Sequence, residues 1–186
     1  MKEYTIIGID PSTRNIGVAG IVNGNNGFAF SKEPRVHKIG KNGQELKATD
    51  FNVDTLADFY YDVLQAVKQA GGNIDAPMSI VLPKMGGSLN YNTIDRLSKL
   101  CGLIHGSFLG TNFNVWYLSE ATARAQVLKQ YKNKNNTYKE CALKLCKDNG
   151  YNVNNDDEAD ALVLALATKK ILESGDYGKI KRFWCL

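Results

Sequence analysis

The chain has 186 residues, 44% apolar and 23% charged, with a formal net charge of +4. No apolar run approaches the roughly 20 residues that a membrane-spanning helix needs, and the opening MKEYTIIG runs into a strand pattern without a cleavable apolar region. Composition therefore excludes a helical membrane protein and predicts a single cytoplasmic domain, long enough for a full hydrophobic core.

In chain order, the first expected strands are YTIIGID, IGVAGIV and FAFSK, with RVHKI as a further extended stretch, separated by Gly/Asn turns such as NGNNG. KNGQELKATDFN reads as polar loop. From Asp54 the apolar positions Leu56, Phe59, Tyr60, Val63, Leu64 and Val67 follow helical spacing, and Gly71-Gly72 ends the pattern. SIVLP is a short strand closed by proline, and KMGGSLNYN a glycine-containing loop. Thr93–Phe108 is a second amphipathic helix, and NVWYL another strand. Ser119 is placed to cap a helix over EATARAQVLKQY, a helix over Tyr138–Asn149 ends at Gly150, and NDDEADALVLALATKKILE is a strongly apolar helix. Antiparallel hairpins followed by β-α-β units predict an α/β fold, a mixed sheet with helices on both faces.

Cys101, Cys141, Cys146 and Cys185 form no CxxC pair, and the chain has two histidines, so buried reduced thiols are expected and a zinc site is not. His105, inside the second helix, is expected to be a packed or partly exposed side chain.

The acids are more informative. Asp10 lies at or just past the middle of the first strand, where a carboxylate is costly unless compensated. Asp157 and Asp160 are three apart and share one helix face. Asp156, Asp157 and Glu158 suit a helix N-terminus, with Asp156 and Glu158 complementing its dipole or facing solvent. Asp160 instead borders the apolar stripe of Ala159, Ala161, Leu162 and Val163, and an acid there calls for a counter-charge. Carboxylates from a strand and a helix start can hold hard cations such as Mg²⁺, and a pair of such ions can drive phosphodiester hydrolysis.

Charge is also unevenly spread. Between Thr122 and Lys147 stand seven bases (Arg124, Lys129, Lys132, Lys134, Lys139, Lys144, Lys147) and one acid, Glu140. A second basic cluster, Lys179, Lys181 and Arg182, runs into Phe183 and Trp184. Either pattern suits a polyanion or a solvated helix face.

GIDPSTRNIG followed some 150 residues later by DDEADALVLALA resembles the RuvC-type Holliday junction resolvases of the ribonuclease H-like superfamily, phage-borne versions most. The resemblance covers nearly the whole chain in element order. It implies a ribonuclease H-like fold and paired nicks in four-way DNA that depend on Mg²⁺, with Mn²⁺ as a substitute. It also implies a homodimer, with the Thr93–Phe108 helix a candidate interface, and Asp10, Asp157 and Asp160 as catalytic metal ligands. Arg14 then contacts a phosphate, the Lys129–Lys139 stretch contacts DNA through Lys129, Lys132, Lys134 and Lys139, and Lys84 and Arg124 join that surface.

Two departures stand out. The family carries a Glu at the end of the strand that here reads Ile80-Val81-Leu82-Pro83-Lys84-Met85. Glu33, Glu45 or Asp95 would have to substitute; otherwise the second metal is held through Asp10 and waters alone, or the chain binds branched DNA without cutting it. The family often carries a base-stacking aromatic in the loop after that strand; here the loop reads KMGGSLNY, with Met85 or Tyr91 as a wedge or as ordinary packing. GIDPSTRNIG is similar as well to the first phosphate loop of actin-like ATPases, but those need a second such domain, for which this length leaves no room.

Overall fold

The computed structural model describes residues 4–24, 26–35, 38, 39, 41–43, 45, 46, 51, 56–84 and 91–182. Strands β1 (Thr5–Asp10), β2 (Ile16–Val22) and β3 (Asn26–Lys32) form an antiparallel meander. Its second turn is built by Asn23 and Gly24, whose φ of 49° and 83° let the chain reverse with the strand twist. Helix α1 (Phe59–Gln69), strand β6 (Met78–Pro83), helix α2 (Tyr91–Ser107) and strand β7 (Phe113–Leu118) supply two β-α-β units that place β1, β6 and β7 in parallel. Helices α3 (Glu120–Val127), α4 (Tyr138–Asp148) and α5 (Asp156–Ser174) follow. The sheet order is β3-β2-β1-β6-β7-β8, where β8 is Lys181–Arg182, antiparallel to β7. This mixed sheet bears helices on both faces, as expected.

Strand β1 is central, which explains its near-continuous apolar sequence. Ile7 and Ile9 enter a core with Val18, Phe59, Val63, Ile80, Leu82 and Ile104, on the side of α1 and α2. Ile6 enters the opposite core, with Ala19, Ile21, Val81, Cys141, Leu145 and the buried stripe of α5. By strand alternation Gly8 and Asp10 share the face of Ile6, toward α5. There α5 lies unusually close: a Cβ on Gly8 would stand 1.9 Å from the Ala161 carbonyl oxygen, and one on Gly17 2.1 Å from that of Asp157. The two glycines are what let this helix sit directly on the strands.

Several local expectations are corrected. The KNGQELKATDFN stretch is not all loop: β4 (Lys38–Ile39) pairs with β5 (Glu45–Leu46), and Arg35 bridges to Phe51. His37 and parts of RVHKI lie outside the described residues. The second helix begins at Tyr91, two residues early, and the one after Ser119 stops at Val127, with residues 128–131 in turns. Lys181 and Arg182, read as a basic tail, continue the sheet as its edge strand. Cys101, Cys141 and Cys146 are buried and free; Cys185 lies outside the described residues. His105 is half-buried, its Nδ1 3.1 Å from the Tyr117 hydroxyl.

Candidate metal centre

Asp10 ends β1 opposite Gly17, and Gly17 lies beneath the first turn of α5. That register sets Asp10 beside Asp157 and Asp160. The residue is partly buried, and its carboxyl accepts no hydrogen bond among the described residues. Burial is the first cause that pushes its pKa up to about 8, followed by the negative fields of Asp160, Glu120 and Asp157; Arg124 opposes them. Asp160 is also pushed up, by burial first, with Glu120 and Asp156 adding to the effect and Arg124 and Lys139 countering it. Asp157 is raised by burial, while a hydrogen bond donated by Asn15 Nδ2 to its Oδ2, at 3.3 Å, acts the other way. The carboxyls therefore share one under-neutralised patch, the electrostatic condition that a dication relieves.

The N-terminus of α5 is held rigidly. Asn155 caps it by accepting from the Glu158 N–H at 2.9 Å, and Glu158 Oε1 accepts in turn from Asn155 Nδ2 at 3.3 Å. Glu158 also accepts from the Asn154 N–H at 2.8 Å and is 1% exposed. Of its two expected roles, Glu158 takes the one at the helix N-terminus and not the solvent-facing one: its carboxylate closes the cap from inside. Asp156 is ion-paired with Lys139, which holds its pKa below the usual carboxylate range and raises that of the lysine. The turn after Asp10 is braced by Arg35, whose Nε donates to the Thr13 carbonyl and whose Nη2 donates to Thr13 Oγ1 at 3.0 Å. Arg14, in this turn, is exposed.

The basic surface adjoins the acids. Lys129, Lys132, Lys134 and Lys139 are all exposed. Asparagines shape their loop: the Asn133 N–H donates to Asn136 Oδ1 and the Asn135 N–H to Asn133 Oδ1, each at 2.8 Å, and Asn136 Nδ2 donates to the Tyr131 carbonyl at 2.6 Å. Lys132 and Arg124 lie over the Tyr138 ring, 5.2 and 5.1 Å from its centroid. Lys129 and Lys134 form no ion pair among the described residues, whereas Lys139 is tied to Asp156. Lys84 is exposed at the end of β6, its N–H donating to the Leu118 carbonyl at 2.9 Å.

Strand β6 contributes no acid: Pro83 ends it, buried and paired in register with Leu118. Asp95 does not replace one, being an exposed partner of Lys99 at 2.7 Å within α2. Glu33 is exposed, and the Glu45 side chain and Met85 lie outside the described residues. Tyr91 is 81% exposed. Among the described residues no three acid, histidine or cysteine side chains converge closely enough to ligate one ion. The oxygen donors suit a hard dication, and binding one requires them to turn toward each other.

Glu120 and Arg124 escaped the sequence reading as neighbours of Asp10. Their spacing is visible as an i,i+4 pair, and the distance in the structure is 2.8 Å. Their closeness to the acids depends on the order of β1, β6 and β7, which no local pattern encodes.

No family model matches the sequence, and no curated protein matches it either. Solved structures do. Thermus thermophilus RuvC in complex with a Holliday junction substrate aligns with a TM-score of 0.62 over 97% of this chain and 99% of that one, at 12% identity. The chain has the RuvC fold. A second Thermus thermophilus RuvC structure gives 0.61 over 96% and 99%, at 13% identity. Within the RuvC fold, the meander, the parallel strands and the long last helix account for nearly the whole chain, and the acids described above sit where β1 meets that helix.

Proposed function

We propose that this chain is a divalent-metal-dependent endonuclease that binds and nicks Holliday junctions or other branched DNA, acting as a homodimer. The observation that carries the reading is Asp10, a partly buried carboxyl that accepts no hydrogen bond among the described residues and feels the charges of Asp160 and Asp157. The likeness to a RuvC bound to junction DNA supports the substrate class. Asp10, Asp157 and Asp160 would hold Mg²⁺ or Mn²⁺. Bound there, such ions would supply the activation of a water and the stabilisation of the leaving 3′ oxygen.

The chain's own residues do the remaining work. Asn15 fixes the Asp157 carboxylate through its Oδ2, and Arg35 fixes the turn that presents Arg14 to a phosphate. Lys129, Lys132 and Lys134, on a loop made rigid by its asparagines, bind backbone phosphates and orient the strand across the acids. The likeness in fold to RuvC supports a dimer, formed along α2, that addresses two strands of one junction.

A second reading is favoured by Pro83 and by the unconverged acids: a protein that binds branched DNA without cutting it. The deciding experiment incubates the chain with an end-labelled four-way junction and a matched duplex in EDTA, Mg²⁺ or Mn²⁺. Symmetric, metal-dependent cuts at the branch that vanish in Asp10→Asn support the nuclease. Tight junction binding with no cuts in either metal refutes it in favour of the second reading.

A further inference from the structure

The basic loop between α3 and α4 carries no apolar side chain to anchor it: residues 132–137 read KNKNNT. Many of its hydrogen bonds are internal, from Asn133 to Asn136 and from Asn135 to Asn133, and the Lys132 ammonium donates to the carbonyls of Asn133, at 3.2 Å, and Asn136. Its tie toward α3 runs through Tyr138, the first residue of α4. Lys132 Nζ stands 5.2 Å from the centroid of that ring, and the guanidinium of Arg124, on α3, stands 5.1 Å from it. Glu120 holds Arg124 from a second side, at 2.8 Å. An aromatic face attracts a cation within about 6 Å, and here one ring gathers two like charges that would otherwise repel each other.

Tyr138 stands on a fixed base. Thr137 and Glu140 form a capping box, in which the Thr137 N–H donates to Glu140 Oε2 at 2.6 Å and the Glu140 N–H donates to Thr137 Oγ1 at 3.2 Å. The next residue, Lys139, is ion-paired with Asp156, the first residue of α5 and the chain neighbour of Asp157. Successive residues of a helix point about 100° apart, which lets neighbours address two different elements. Through Tyr138 this turn holds the lysine loop and α3; through Lys139 it holds the helix start that carries the acids. Tyr138 belongs to neither core and is 44% exposed, so its contact with the two cations is not a by-product of packing.

We propose that Tyr138 is a positioning residue: its ring fixes Lys132 and Arg124 relative to the N-terminus of α5, and so sets which phosphate of a bound strand reaches Asp10, Asp157 and Asp160. A strand held by mobile lysines is bound with similar strength but in a variable register, whereas cations in fixed positions select one register. This inference rests on the nuclease reading given above and adds to it what decides the position of the cut.

The test compares Tyr138→Leu, which removes the ring, with Tyr138→Phe, which keeps it, both in the full chain and with the fold verified by circular dichroism. Two readouts are taken: hydrogen exchange of the amides of residues 132–136 in the free protein, and single-turnover cleavage of an end-labelled four-way junction in Mg²⁺, mapped to the phosphate. Tyr138→Leu is expected to speed the exchange of the loop and to spread the cuts over neighbouring phosphates. It should also lower the cleavage rate at saturating protein by about tenfold to 100-fold, with little change in junction affinity. Tyr138→Phe is expected to restore all of these. Unchanged exchange and unchanged cut positions in Tyr138→Leu overturn the proposal. A Tyr138→Phe variant as impaired as Tyr138→Leu overturns it too, because the ring is then not the operative group. So does a loss of affinity that accounts for the whole loss of rate while the cuts stay in place. If the unmodified chain makes no metal-dependent cuts, the nuclease reading falls and takes the role of Tyr138 with it.

Discussion

Gly17→Ala tests whether the seat of α5 sets the geometry of the acids. The new Cβ would lie 2.1 Å from the Asp157 carbonyl oxygen, where ordinary contact begins at 3.4 Å, so helix or strand must give by about 1.3 Å. The obstacle is backbone in a capped first turn and cannot rotate away. Overpacking of this kind costs about 1–3 kcal/mol. Because the strained turn carries Asp157 and Asp160 while Asp10 stays on β1, the retreat opens the centre by a comparable distance. A misplacement of about 1 Å costs on the order of 100-fold in rate. Single-turnover cleavage of a four-way junction in Mg²⁺ should therefore fall by about that factor, while junction binding in EDTA, which depends on the lysine loop, stays near the unmodified value. Gly20→Ala, on the same strand, is the internal comparison: its Cβ would meet the Phe28 ring at 2.3 Å, and a ring can turn. It should cost stability with little loss of cleavage. Equal cleavage by Gly17→Ala and the unmodified chain would refute the argument that the glycine seat holds the acids in place.

The raised Asp10 pKa has a definite sign in stability. A carboxyl that titrates near 8 when folded and near 4 when unfolded binds more protons in the folded state between those values, so rising pH lowers the stability of the metal-free protein through that window. In EDTA, Asp10→Asn should thus melt higher than the unmodified chain at pH 8.5, and the gap should shrink by pH 5; a gap independent of pH would contradict the burial of a titrating Asp10. Thr168 is 0% exposed and its hydroxyl has no hydrogen-bond partner among the described residues, so Thr168→Val should stabilise the fold by about 1 kcal/mol in urea denaturation. Lys129→Ala and Lys134→Ala should each lower the salt slope of junction binding by about 1. Lys139→Ala should do less, because that lysine is already neutralised by Asp156.

The strands and helices that bury an apolar face were legible because periodicity records burial: Ile6 to Ile9 as a run, Val63 and Val67 at helical spacing. Two-residue strands such as Lys38–Ile39 and Lys181–Arg182 carry no period, and they depend on a partner brought from elsewhere in the chain. Within the site, the DxxD spacing announced a shared face for Asp157 and Asp160, and strand parity brings Asp10 to them. The sequence left Glu158 open between the helix dipole and solvent because three acids in one helical turn look alike; only the position of Asn155 beside β3, with its Nδ2 3.1 Å from Ser31 Oγ, decides which of them turns inward. Glu120 was overlooked for a different reason. Its nearest chain neighbours describe a capped surface helix, and its relation to Asp10 runs across three strands.

The seat of α5 on β1 and β2 also has a consequence for how the chain folds. The meander of β1, β2 and β3 is local and can zip early, but the helix that covers its Ile6, Ala19 and Ile21 face is made of residues 156–174. Closing that contact spans most of the polypeptide, the kind of long loop that slows folding. During synthesis this face stays bare until the ribosome has released α5, and a bare apolar sheet is a target for self-association and for chaperones. The earliest strand and the last long helix thus complete the α5-side core and the acidic centre in one event, and no nascent fragment ending before residue 156 contains either.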